Sequence, residues 1–116
     1  MNLPRLTVPL VLESPVRAAD GMGGFALSWQ PIGRIWAEMR SGAGAERFAE
    51  VGAQSVVNWR ITVRAAAAGD PRRPRPEQRL RLGAGPAERR FRIEAVAESD
   101  RSGRYLVCIA KEESLA

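Results

Sequence analysis

SVVNWRITVR, residues 55–64, decides the fold class of this chain. Val57, Trp59, Ile61 and Val63 share one parity, and Asn58, Arg60, Thr62 and Arg64 share the other. Successive side chains leave a pleated backbone on opposite sides, so this alternation predicts a strand with one buried face. β-Branched residues are enriched throughout, as a half-buried pleated surface favours. GRIWAEMRSG (33–42) reads the same way, with Ile35, Ala37 and Met39 set against Arg34, Trp36, Glu38 and Arg40. There the tryptophan falls among the charges. As a packing residue it needs a cover, expected from Phe48 in the 44–51 segment or from a neighbouring subunit.

Further strands follow on either side. Val8 to Arg17 is interrupted by Pro9 and Pro15 and predicts an edge or bulged strand. AADGMGG (18–24) is a turn cluster ahead of the short apolar stretch Phe25 to Trp29. Gln78 to Leu82 places Leu80 and Leu82 against Arg79 and Arg81, and RRFRIEAVA (89–97) places Phe91, Ile93 and Ala95 against Arg90, Arg92 and Glu94. SDRSG (99–103) is a hairpin turn, and YLVCIAK (105–111) is apolar on both parities, as in a strand covered on both faces. One segment departs from the pattern: in GAERFAEVG (44–52), Ala45, Phe48 and Ala49 fall on one helical face. The expected fold is all-β, a small barrel or sandwich of about six strands with one short helix or long loop.

A chain of 116 residues suits one domain, 1–116. It can bury roughly two-thirds of its unfolded surface, enough for a core without disulfides or metals. The net charge is +5 and the isoelectric point about 10.9. All but one of the basic residues are arginine; Lys111 is the exception. Alongside the alanine, glycine and proline content, that bias fits a GC-rich coding sequence as well as a phosphate-binding surface. No apolar run approaches the roughly 20 residues of a membrane span. MNLPRLTVPLVLESP has one arginine and two of its prolines among apolar residues and makes a poor signal peptide, so synthesis in the cytoplasm is expected.

The chemical inventory is sparse. The sequence contains no histidine and a single cysteine, Cys108. Histidine-assisted nucleophiles, the common zinc sets and CxxC sites are thereby excluded. The clusters GMGG (21–24), GAGAE (42–46) and GAGPAE (83–88) lack the spacing and lysine of a phosphate loop and read as turns. Glu94, Glu98, Asp100, Glu112 and Glu113 are interspersed with arginines, as on a solvated face. No catalytic residue, cofactor site or metal site is expected.

The ordered set of segments carries a resemblance. RIWAEMRSGAGAE, NWRITVR and RLRLGAGPAERRFRIEAVAESDRSGRYLVCIAKEE together resemble the head–tail joining family of tailed phages. Its members are the head-completion or stopper proteins of long-tailed phages and phage-like gene transfer agents. The matching positions are Trp36 and Ala37, Gly44 and Glu46, Arg64, Arg79, Phe91 and Ile93, and Cys108 with Glu112. DGMGGFALSW adds Asp20, Gly23, Gly24 and Trp29, and the likeness extends over about residues 5 to 113. AAAAGDPRRPRPEQ (65–78) departs by its length.

The resemblance implies a small β-barrel and a structural, non-enzymatic role in a virion assembled in a bacterial cytoplasm. Such a protein forms a homo-oligomeric ring, six copies or alternatively twelve. The ring sits between the head–tail adaptor and portal assembly and the tail terminator, with packaged DNA passing through its lumen. No membrane is involved. The loop after the second strand, about Ser41 to Gln54, is then a channel plug, with Glu46, Arg47 and Glu50 nearest the DNA path. It contains no proline, and its mixed charge suits a gate that does not hold passing phosphates. The Pro/Arg segment is expected to run stiff and extended. Arg72, Arg73 and Arg75 are its candidate connector contacts, since guanidinium forks suit carboxylates. Trp36, Phe48 and Trp59 are candidate packing residues.

The alternative is a small basic β-barrel that binds nucleic acid through Arg72, Arg73, Arg75, Arg79 and Arg81. Against it, such barrels add exposed stacking aromatics, and the seven aromatics here fall mostly on apolar parities.

Overall fold

The computed structural model describes residues 3–41 and 57–113. Six strands account for most of them: β1 (Val8–Ala19), β2 (Phe25–Ser41), β3 (Asn58–Arg64), β4 (Arg79–Leu82), β5 (Arg89–Glu98) and β6 (Tyr105–Glu113). A single 3-10 turn, Gly85–Ala87, precedes β5, and the described residues contain no α-helix. All pairings are antiparallel, in the order β1-β2-β3-β6-β5-β4, and β4 pairs back onto β1. The sheet therefore closes into a barrel, which removes the open edges a sandwich would leave. The helix-like segment 44–51, with Phe48, lies outside the described residues.

The alternation predicted for β3 holds: Ile61 and Val63 are fully buried and Trp59 packs against the core. Ala37 is buried on the facing side of β2, flanked by the partly buried Ile35 and Met39. Leu10 and Leu12 of β1, Leu80 of β4, Phe91 and Ile93 of β5, and Leu106, Cys108 and Ala110 of β6 complete the interior. On the outer face of β6, Val107 is also buried; it lines a groove with Leu3 and Pro4. That N-terminal segment is tied down by a hydrogen bond from the Arg5 backbone N–H to Glu38 Oε2, at 2.9 Å.

One expectation shifts with the backbone. The register of β5 slips between Ile93 and Ala95, so the bulge turns Ala95 outward and brings Val96 against the core instead. Of the two readings of β1, edge or bulged, the second holds: β1 is flanked by β2 and β4, and its register with β2 shifts between Leu12 and Glu13. It pairs with β4 only through Val11, Leu12 and Glu13. Pro9 and Pro15 fall outside that short ladder, so neither lacks a donor where β4 needs one.

Candidate functional site

The outer side of β4 carries charges that the barrel does not leave exposed. Arg79 and Arg81 alternate with the inward Leu80, so both guanidiniums face away from the core. Arg79 Nε donates to Glu13 Oε1 at 2.7 Å, and Arg81 Nε to Glu13 Oε2 at 3.3 Å. Glu13 and Arg79 are both buried. The Arg79 guanidinium also lies over the Trp29 ring, 4.1 Å from its centroid. One carboxylate thus joins β1 to β4, and one arginine joins β4 to β2.

Cross-strand pairing sets Arg79 opposite Arg92 and Arg81 opposite Arg90, arrangements that repel unless carboxylates intervene. They do intervene: Arg92 bonds Glu77 at 2.7 Å, and Arg90 bonds Glu88. A further pair closes the opposite margin of β5. Arg89 grips Glu112 through two bonds, at 2.7 and 2.8 Å, and the Trp59 indole N–H donates to the same carboxylate at 3.2 Å. The Arg89 hydrogen bonds hold the Glu112 carboxyl below its ordinary range, with the Trp59 contact adding to the effect. Trp59 also meets Phe91 edge to face, 5.7 Å between centroids.

Beyond Glu13, the β1–β2 ribbon leaves the barrel. Its pairs run from Glu13↔Pro31 through Pro15↔Trp29 and Arg17↔Leu27 to Ala19↔Phe25, with no third strand among the described residues beside those past Glu13. Phe25, Leu27 and Trp29 alternate along β2 and share one face. Trp29 is partly covered at the root, whereas Leu27 is 55% exposed, Phe25 74% and Met22, in the turn, 91%. The turn itself is well made. Asp20 Oδ1 accepts from the Met22 and Gly24 backbone N–H groups at 2.8 and 3.1 Å, which lowers the Asp20 pKa. Gly21 and Gly23 take φ near +81° and +84°, conformations that other residues adopt only with strain.

Trp36 is 50% exposed on the outer face of β2. It lines a groove of about 560 Å³ together with Leu6, Ala65 and Ala66, rimmed by Arg34, Arg64 and Arg72. Its partner in the sequence reading, Phe48, lies outside the described residues, as do Glu46, Arg47 and Glu50.

The Pro/Arg segment is folded rather than extended. The Asp70 N–H bonds Ala67, the Arg73 N–H bonds Asp70, and the Gln78 N–H bonds Arg75, closing three successive turns. Pro74 is fully buried. The three arginines therefore differ. Arg72 is exposed and held by Asp70 at 3.1 Å, Arg73 donates to the Ala66 carbonyl at 2.8 Å, and Arg75 is exposed. With Arg79 and Arg81 tied to Glu13, the five arginines do not form a free basic stripe.

Among the described residues, no group of three histidine, cysteine or acidic side chains is placed to hold a metal ion. Burial pushes the Cys108 thiol up to about 12, so it is an inert core residue rather than a nucleophile.

Sequence reasoning missed the buried Glu13 and the exposed Phe25 and Leu27. The spacing of Phe25, Leu27 and Trp29 was visible, but nothing local says that a strand will outrun its barrel.

The comparisons with known proteins agree with this architecture. A family profile described as phage head completion protein matches residues 1–113. None of the curated proteins matches this sequence. Among solved structures, the chain is similar to one from the virion of a native gene transfer agent particle. That likeness has 54% identity and a TM-score of 0.79, and it covers 98% of this chain and 100% of that one. Protein SF1141 from Shigella flexneri 2a, solved in solution, shares the fold at 20% identity, with a TM-score of 0.67 and complete coverage of both chains. The family is structural rather than enzymatic. A six-stranded barrel with no catalytic constellation among its described residues, matched over nearly its whole length by one profile, belongs to the phage head completion protein family.

Proposed function

We propose that this protein is a virion component that forms a ring at the head–tail joint of a phage-like particle. There it closes the DNA-filled capsid and presents the surface on which the tail docks. The observation that carries the reading is the 54% identity, over 98% of the chain, to a protein of a gene transfer agent virion. The ring contains six copies, with twelve as the alternative symmetry. It lies between the portal and adaptor assembly on one side and the tail terminator on the other.

Within that ring, the segment after β2 faces the lumen, bringing Glu46, Arg47 and Glu50 nearest the DNA. Arg72 and Arg75, exposed on the folded Pro/Arg loop, contact an adaptor or neighbouring subunit, with Arg73 bracing the loop through Ala66. The nucleic-acid-binding alternative draws less support. Arg79 and Arg81 share Glu13, and Arg72 is held by Asp70. The test is a deletion. Particles lacking this protein are expected as filled or leaking heads separated from complete tails; normally joined particles would reject the role. Replacing Arg72, Arg73 and Arg75 with serine is expected to weaken joining while the barrel stays folded.

A further inference from the structure

Among the described residues, the outer part of the β1–β2 arm has no third strand beside it and the Trp36 groove stands open. A two-stranded ribbon is at best marginally stable in water unless a third element covers an apolar face. Among the described residues nothing covers the outer half of the ribbon, and its exposed face carries Phe25 and Leu27, with Met22 at the tip. Its root is nevertheless fixed by Glu13, Arg79 and Trp29, so the tip is held out from the barrel. The groove is lined by apolar Leu6, Trp36 and Ala66 and by Arg34, Arg64 and Arg72, the last paired with Asp70.

We propose that the arm tip of one copy seats in the Trp36 groove of the next copy. The inference rests on the ring reading and gives the ring its joint. Three observations favour a second copy as the occupant. First, no residue of the arm lines the groove of its own chain. Phe25 stands eleven residues from Trp36 along β2, up to about 36 Å at strand rise, so the arm does not fill the groove of its own chain.

Second, the charges are complementary. Asp20 is the acidic group of the tip, its carboxylate bonded by the Met22 and Gly24 N–H groups. Among the described residues, the groove carries Arg34 and Arg64 as unneutralised basic groups beside the paired Arg72 and Asp70. Arg17 stands opposite Leu27, further back along the ribbon. A chain of net charge +5 needs such a local acid to meet its own copy. Third, arm and groove are different surfaces, so their contact is head to tail. Each copy keeps one arm and one groove for its two neighbours, the arrangement that closes a ring.

The test uses particles whose ring chain carries Met22→Cys together with Ala66→Cys, treated with a short bis-maleimide. Cys108 is buried with its thiol raised to about 12, so only the introduced thiols react. The expected result is a ladder of covalent multimers ending at the ring's copy number, with no ladder from either single variant. Phe25→Ser, at an exposed position, is expected to leave the barrel folded and lower incorporation into particles about tenfold. If Met22→Cys cross-links instead to another virion protein, or to its own counterpart, the proposed joint is overturned while the ring stands. Finding one or two copies per particle would overturn the ring itself.

Discussion

Replacing Glu13 with leucine removes the carboxylate that Arg79 and Arg81 share, and the loss falls unequally on the two. Arg81 is a quarter exposed and keeps the Gly83 carbonyl at 2.9 Å, so its contribution is about 0–1 kcal/mol. Arg79 has a side chain only 10% exposed and a 2.7 Å bond to Glu13, so it is left as a buried cation without its counter-charge. Breaking a buried pair in this way costs about 3–5 kcal/mol. The stacking on Trp29 is present in parent and variant alike and cancels, so the loss is at least about 3 kcal/mol. For a domain with a total stability of about 5–15 kcal/mol, that is a large fraction. In urea, with a slope of about 1.5 kcal/mol/M, the midpoint is expected to fall by at least about 2 M. The double variant Glu13→Leu with Arg79→Met removes both charges and is expected to recover most of the loss, because apolar replacement of a whole buried pair is often neutral. A single variant within about 0.3 M of the parent midpoint, or a double variant no more stable than the single, would refute the reasoning.

Three other outcomes test the remaining structure. Glu112 has its pKa lowered from 4.5 by Arg89, so its stabilisation is fully present above that value and is lost as pH falls through the lowered one. Glu112→Gln is therefore expected to cost about 1–2 kcal/mol at neutral pH and to flatten the acid limb of a stability–pH profile. Cys108 is expected to react with a thiol reagent only when the barrel opens, at a rate that follows denaturant; rapid modification of the native protein would contradict its burial. Phe91→Ala is expected to lose about 3–5 kcal/mol in chemical denaturation, whereas Trp36→Ala, half exposed, loses under about 1 kcal/mol in the isolated chain.

Periodicity carried most of the fold. β3 was legible from Trp59, Ile61 and Val63 alone, because a strand with one wet face must alternate. The same rule found Leu80, Phe91 and Ile93. Lack of histidine and of a second cysteine by itself excludes the familiar histidine-assisted, zinc and CxxC sets. What local pattern misses is a change of register. Ala95 and Val96 exchange faces across a bulge, and a bulge is set by what the neighbouring strand offers rather than by the residues that form it.

The Pro/Arg segment shows the same division. Three prolines within six residues favour an extended course locally, yet Pro74 is buried and the chain around it turns on Asp70 and Gln78. Burial of the Pro74 ring and the turn hydrogen bonds around it outweigh a weak local preference.

By itself, the sequence determined that this chain is an all-β protein without catalytic histidine chemistry, because alternation and composition are properties of the chain read in order. Only the tertiary structure decided that the sheet closes and that Arg79 and Arg81 are spent on Glu13 rather than offered to phosphates. It also decided that Phe25 and Leu27 stand uncovered beyond the barrel. Each depends on residues far apart in sequence: Glu13 and Arg79 are 66 positions apart, and β4 meets β1 only when the barrel closes. Whether a charged or apolar side chain is satisfied depends on which strands become its neighbours, and no local pattern carries that information.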